Sequence, residues 1–370
     1  MSFAVSGTPQ HDLAPKSLEA RPLIFSVIIP VLNEEKLIGQ CLSALVRQSL
    51  RADEFEVIVV DNGSTDRTIE IATEYRAALR LSVVHKANCN ISAARNSAAA
   101  IAKGTFLAFL DADCLPSEEW LILALKRLRC GDGGVIGAFY TIPPESTWVA
   151  RAWYGDLPAT RQGSVSYIPS GTLFLARSVF SKLGGFDPSI QTSEDFEFCQ
   201  RVKAAGYQVL GFAELSTLHL GTPQTIAAFY RKQRWHGTGV RSVFVRNMLD
   251  RDFAKTILHT LYVSFCLLLG VVAVPFSLIT HNFLILILPP FFFMLGSLAM
   301  AVHAANQRKR WSIIIPLMLL YAAYGVARSL SLLGPSGQRD ARAMEFSSPR
   351  GSRASSRQAV QGPVASSRDS

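Results

Sequence analysis

The chain has 370 residues, 49% of them hydrophobic and 18% charged, which is too apolar for an ordinary soluble protein of this size and requires part of it to lie in a membrane. Its 37 Lys and Arg against 28 Asp and Glu leave a formal charge of +9. The basic residues gather beside apolar stretches and in the C-terminal tail, not along an aromatic-interleaved groove, so nucleic acid is excluded as a partner and membrane lipids are favoured. Six cysteines (Cys41, Cys89, Cys114, Cys130, Cys199 and Cys266) show no metal-binding or paired spacing, which argues against a disulfide framework or zinc site and for a reducing compartment.

Residues 1–22 are polar and lack a basic stretch followed by an apolar core, so a flexible N-terminus without a cleavable signal peptide is expected, with the next domain in the cytoplasm. Residues 23–225 alternate short β-branched runs with helical stretches, the rhythm of βαβ units around a mainly parallel sheet. The first strand, Phe25 to Val31, ends at Asn33, which is expected to cap a helix carrying Glu34 and Glu35 in its first turn and running to about Gln48. The second, Glu56 to Val60, breaks into the turn DNGSTD at Asp61 to Asp66, ahead of a helix through Tyr75. LSVVH reads as a third strand and Ile91 to Ala102 as a helix. The run Thr105 to Leu110 reads as a buried strand that delivers Asp111 and Asp113 at its carboxyl end, the edge where open parallel sheets bind ligands.

Residues 226–256 form a basic juxtamembrane segment, and residues 257–333 hold three apolar stretches: Ile257 to Ile279, Phe283 to Val302, and Trp311 to about Leu333. The first two approach the roughly 20 residues needed to cross about 30 Å of hydrocarbon. Basic residues flank this pair on both outer sides, so the positive-inside rule makes it a hairpin with both ends in the cytoplasm. The third has about 17 clean apolar residues before Arg328. It is read as spanning, which places the tail on the far side; the alternative is a helix lying in the interface. Within these stretches the ionisable groups are His259 and the borderline Arg328. Residues 334–370, rich in Ser, Gly, Pro and Arg, are expected to be a disordered tail.

Asp111-Ala112-Asp113 sets two carboxylates two residues apart where a buried strand ends. They can chelate a hard divalent cation that holds a diphosphate, or simply serve a turn. Glu194 and Asp195 begin an amphipathic helix; there they either complement the helix dipole or supply a general base for an acceptor hydroxyl. Asp61 and Asn33-Glu34 face the same sheet edge if their strands are neighbours. Arg95 can reach a phosphate, pair with an acid or stay exposed. His219 is a further metal ligand or a satisfied core histidine. Arg231, Arg234 and Trp235 either anchor the chain at the interface or serve the departing diphosphate and an acceptor sugar.

These motifs occur together in one order, and on them the chain resembles the family 2 glycosyltransferases. The match runs through SVIIPVLNEE, VVDNGSTD, ISAARNSAAA, FLDADCLP, GTLFLARSVFSKLGGFD, SEDFEFCQRVKAAGY and RKQRW, roughly Phe25 to Trp235. The resemblance implies an α/β catalytic domain of GT-A fold (Rossmann-like, mainly parallel sheet) followed by C-terminal transmembrane helices, in an enzyme of the bacterial plasma membrane. It implies that Pro30 to Glu34, including Asn33, and Asp61 contact the nucleotide base and ribose, with Arg95 beside them. Asp111 and Asp113 match the DxD motif that holds Mn²⁺ or Mg²⁺ on the nucleotide diphosphate, Asp195 after Glu194 matches the catalytic base, and Arg231, Arg234 and Trp235 match the (Q/R)xxRW motif. Arg in place of the usual Gln at Arg231, and the few downstream helices, put polymer synthesis and an export pore in doubt. The partners so implied are a nucleotide-sugar donor, by default a UDP-sugar, and a lipid-linked or exported-glycan acceptor. A nucleotidyltransferase would need a Gly-rich phosphate loop that PVLNEE lacks. A silent membrane scaffold or transport component leaves the placement of Asp61, Asp113 and Asp195 unexplained.

Overall fold

The structure, a computed structural model, describes residues 22–332 apart from 132–133, 156, 158–160 and 245–250. The flexible N-terminus and disordered tail expected from the sequence lie outside the described residues, as do the side chains of Arg241, Arg246 and Arg251.

The N-terminal, sheet-bearing half, the catalytic half expected from the sequence, opens with β1 (Phe25–Val31), α1 (Ile38–Val46), β2 (Phe55–Asp61), α2 (Thr68–Glu74), β3 (Leu81–His85), α3 (Ile91–Ile101) and β4 (Phe106–Leu110). It continues through β5 (Cys114–Pro116), α4 (Trp120–Arg129), β6 (Val135–Gly137), α5 (Trp148–Tyr154), β7 (Gly163–Ser164) and β8 (Thr172–Ala176). It closes with α6 (Arg177–Lys182), α7 (Glu194–Ala204), β9 (Val209–Gly211) and β10 (Thr217–His219). The main sheet has the order β3-β2-β1-β4-β8-β6-β9-β7, while β5 and β10 pair separately. The four strands from β3 to β4 are parallel, and β8 enters antiparallel to both β4 and β6. Alternation along β1 explains the layering: Val27 and Ile29 pack with Leu42 of α1 and Trp120 of α4, whereas Ile28 packs with Ala94 of α3 and Phe198 of α7.

One sequence expectation is corrected at the first sheet edge. Residues 35–37 form a turn and the helix begins only at Ile38, so Asn33 does not cap it. Asn33 is instead in the left-handed region (φ 58°), and its Oδ1 accepts a hydrogen bond from the Thr65 amide at 2.8 Å. Asn tolerates that conformation because its short side chain bonds locally. The two loops beyond β1 and β2 are thereby locked together.

Beyond the sheet lie α8 (Ile226–Phe244), α9 (Arg251–Thr280), α10 (Leu288–Gln307) and α11 (Ile314–Ser331). Three segments here are long and apolar enough to cross a membrane: Ala254–Thr280, Phe283–Gln307 and Trp311–Ser331. The third differs from the other two. Leu317, Leu320 and Tyr324 of α11 pack on Val149 and Ala152 of α5 and on Phe229 of α8, and Trp153 meets the rings of Tyr321 and Tyr324 at 5.0 and 5.6 Å. Arg308, at the end of α10, donates to the Ala152 and Trp153 carbonyls, tying the membrane half to α5.

Candidate active site

Strand β4 is buried on both faces and stops at Asp111, so its carboxylate emerges at the parallel strands' carboxyl edge. Asp111 accepts from Arg95 Nη2 at 2.7 Å and from the Tyr140 hydroxyl at 2.9 Å. Arg95, on α3, is only 1% exposed and donates its other arm to Glu194 Oε1 at 2.8 Å, where Ser170 Oγ also donates at 3.1 Å. A rigid guanidinium fork thus ties the end of β4 to the start of α7, a geometry lysine cannot reproduce. Gly171 is required beside it, because a Cβ there would lie 2.1 Å from Asp111 Oδ2.

Asp195 sits one residue further on, at the start of α7, with its Oδ1 accepting from the Phe196 amide at 2.7 Å. The preceding Ser193 takes a left-handed conformation (φ 69°), which turns the chain sharply into the helix. Burial, and after it the neighbouring Glu194 charge, push the Asp195 carboxyl up to about 7.

The pairing of β5 with β10 sets His219 opposite Cys114 and brings His219 Nε2 to 3.6 Å from Asp113 Oδ2. Thr222 Oγ1 lies 3.0 Å from the His219 carbonyl oxygen and 3.2 Å from its Nδ1, while Nε2 faces Asp113. Burial, chiefly, lowers the His219 pKa, while the neighbouring Asp113 charge opposes that shift. Asp113, Cys114 and His219 offer ligand atoms all within 4.8 Å of one another. A carboxylate oxygen and an imidazole nitrogen suit Mn²⁺ or a similar divalent cation. Burial, reinforced by the Asp113 and Asp111 charges, pushes the Cys114 thiol well above the ordinary range.

A cavity of about 770 Å³ joins these groups. Pro30, Glu34, Arg95, Asp111, Asp113, Glu194, Asp195 and His219 all line it, and so do Arg231 and Trp235. Asn33, Asp61 and Arg234 do not. Asp61 is buried beside the end of β1, accepting from the Ser64 amide at 2.9 Å and lying 3.2 Å from His85 Nδ1. From α8 the lining residues are Ala228, Arg231, Lys232, Gln233, Trp235 and His236. Lys232 was not singled out by sequence reasoning, although it lies within the RKQRW motif. It is buried near Asp113 and Asp111, and desolvation lowers its ammonium pKa while their charges oppose that shift. Tyr140 had no sequence signal at all, since its role depends on a loop meeting Asp111 across 29 positions.

A parallel-strand edge carrying a DxD carboxylate pair and a helix-borne acid defines a transferase of the GT-A class. The model of glycosyl transferase family 2 matches residues 26–184, and that of glycosyl transferase family group 2 matches residues 108–326. Glycosyltransferase AglE of Haloferax volcanii is 31% identical over 233 residues, covering 61% of this chain and 75% of its own. The probable glycosyltransferase YdaM of Bacillus subtilis is 30% identical over 57% of this chain, which spans about half (54%) of that protein. The mannosyltransferase of Pyrobaculum calidifontis in complex with GDP-Man and Mn²⁺ shares the fold, with a TM-score of 0.55 and 19% identity over 84% of this chain and 90% of its own. The chain belongs to glycosyl transferase family 2 and is a glycosyltransferase, EC 2.4.

Proposed function

We propose that the chain is a membrane-bound inverting glycosyltransferase that moves a sugar from a nucleoside-diphosphate sugar, by default a UDP-sugar, to a lipid-linked or exported-glycan acceptor at the plasma membrane, with the catalytic half in the cytoplasm. The observation that carries this reading is the single cavity: the wall that holds Asp113 and Asp195 also includes Met300, His303, Tyr321 and Tyr324 from helices apolar enough to enter a membrane. An acceptor anchored in lipid can therefore meet the donor without leaving the bilayer surface.

The pair Asp113 and His219 fits a divalent cation, Mn²⁺ or Mg²⁺, with Asp111 held beside it by Arg95 and Tyr140. When bound, such a cation would neutralise the diphosphate. Lys232 and Arg231, lining the cavity from α8, add positive charge where the diphosphate departs. Asp195 accepts the proton of the acceptor hydroxyl as its oxygen forms the new bond at the anomeric carbon. The carbon–phosphate oxygen bond breaks on the opposite side, and its electron pair leaves with the diphosphate. One in-line displacement inverts the configuration, and the chain supplies no nucleophile. Pro30 and Glu34 lie in the same wall, which supports assigning them to the nucleoside. Asp61 and Asn33 fix the loops behind them.

Thermal unfolding of the detergent-purified protein with UDP and GDP, each with and without Mn²⁺, tests the donor site. A ligand at about 100 times its dissociation constant adds roughly 2.7 kcal/mol. Metal-dependent protection that disappears in Asp113→Ala is the expected result. A folded protein protected by neither nucleotide would overturn the reading.

A further inference from the structure

Arg328 is a charged residue three positions from the end of an otherwise apolar helix, α11, and the mechanism above does not use it. A charge in such a helix normally reaches water or a carboxylate. No carboxylate lies within salt-bridge distance of Arg328 among the described residues. Its Nη2 donates to Gln233 Oε1 at 3.3 Å, its guanidinium lies 5.0 Å from the centre of the Tyr324 ring, and its Nε is buried without an acceptor. Gln233 is itself 4% exposed and, with its oxygen committed to Arg328, turns an amide N–H pair toward its surroundings. Both residues line the cavity.

The distribution of charge within that cavity gives the ligand's chemistry. All of its carboxylates (Glu34, Asp111, Asp113, Glu194 and Asp195) come from the catalytic half. The helices of the membrane half contribute Lys255, Arg308 and Arg328 and no acid. An uncompensated guanidinium with a spare buried N–H, beside an amide donor, calls for an anion with several acceptor oxygens. The helices that carry Arg328 and the wall beside it are long and apolar enough to enter a membrane, so the rest of that ligand is taken to be hydrocarbon. We propose that Arg328 and Gln233 form a subsite for the phosphate group of a membrane-borne acceptor, distinct from the place of the donor diphosphate at Asp113. The subsite rests on the glycosyl-transfer reading and specifies its acceptor class as a lipid phosphate.

The test is thermal unfolding of the full-length protein in detergent with a long-chain polyprenyl monophosphate, the matching polyprenol, or inorganic phosphate, each beside a parallel UDP and Mn²⁺ measurement. Protection by the lipid phosphate alone is expected. In Arg328→Gln the concentration needed should rise about 30-fold or more, the low end for unpairing a buried charged contact. Gln233→Glu keeps Arg328 but places a carboxylate against it, so it should weaken lipid-phosphate binding even if Arg328→Gln does not fold. UDP with Mn²⁺ should protect both variants as it protects the parent. Equal protection by polyprenol, equal protection by inorganic phosphate, or undiminished lipid-phosphate protection in Gln233→Glu would each overturn the subsite. Loss of the lipid arm with the nucleotide arm intact removes the subsite alone, whereas loss of the nucleotide arm in the parent removes the glycosyl-transfer reading.

Discussion

Asp195 is held in a state that costs the fold and serves the chemistry. Its carboxyl is raised to about 7 by burial and by Glu194, so the folded chain binds the proton more tightly than the unfolded chain does. The sign follows: the stability associated with Asp195 is complete below its ordinary carboxylate range and is lost as pH rises toward about 7. Turnover runs the other way, because only the ionised form accepts a proton. The pH profile of kcat/KM should therefore rise to a plateau with an inflection near 7. Asp195→Asn should lose about 10²- to 10⁴-fold in kcat and melt higher than the parent at pH 8, read by initial rates and thermal unfolding. A variant that keeps its rate, or melts lower, removes Asp195 as the base. Asp113 and Asp195 were legible as candidates because the first follows the end of an apolar strand and the second opens an amphipathic helix. The partner of Asp113 was not: His219 reaches it only through the pairing of two three-residue strands about a hundred positions apart. Nor was the burial of Arg95, which depends on two acids arriving from separate elements.

Among the elements, continuous apolar strands could be read directly, and β1 to β4 fall where the apolar and β-branched runs predict them. Strands β6, β7 and β9 have only two or three residues, too few for any periodicity to register, and are held by neighbours distant in sequence. The facing of α8 was likewise out of reach, because the RKQRW run does not say which residues turn inward. That facing depends on contact with α11. At Gly237 a Cβ would lie 2.1 Å from Ser331 Oγ and 3.3 Å from Arg328 Cδ, so these α11 side chains pack directly against the α8 backbone. Gly237→Leu should push them apart and cost about 1–3 kcal/mol, the usual range for overpacking. The expected fall in melting temperature should come with weaker nucleotide protection, since Lys232 and Trp235 ride on the same helix. A Gly237→Leu protein with unchanged melting would show that the contact does not constrain α8.

At the scale of the molecule, the three apolar helices relate differently to the catalytic half. The α9–α10 hairpin turns at His281 and Asn282, while Lys255 and Thr256 near its beginning line the catalytic cavity and Arg308 at its end bonds to α5. Both outer ends thus adjoin the catalytic half, in keeping with a hairpin that enters and returns on one side. For α11 the sequence favoured a span, and its length and apolar composition allow one. Its eighteen residues measure about 27 Å, and a span would carry one end to the opposite face. Yet Leu317 near its beginning packs on α5 and α8, and Arg328 and Ser331 near its end meet Gln233 and Gly237 of the same α8. A helix that touches α8 near both of its ends can lie along the membrane face, the alternative to the span that its length and composition allow, and there it lines the cavity through Tyr321, Tyr324 and Arg328. The residues after Ser331 are then expected on the catalytic side. In cells, a fluorescent protein fused after Ser370 should fluoresce and an alkaline phosphatase fused there should stay inactive. Active phosphatase would mean that α11 spans, and the cavity would then have to form between a crossing helix and the catalytic half instead of beneath one lying on it.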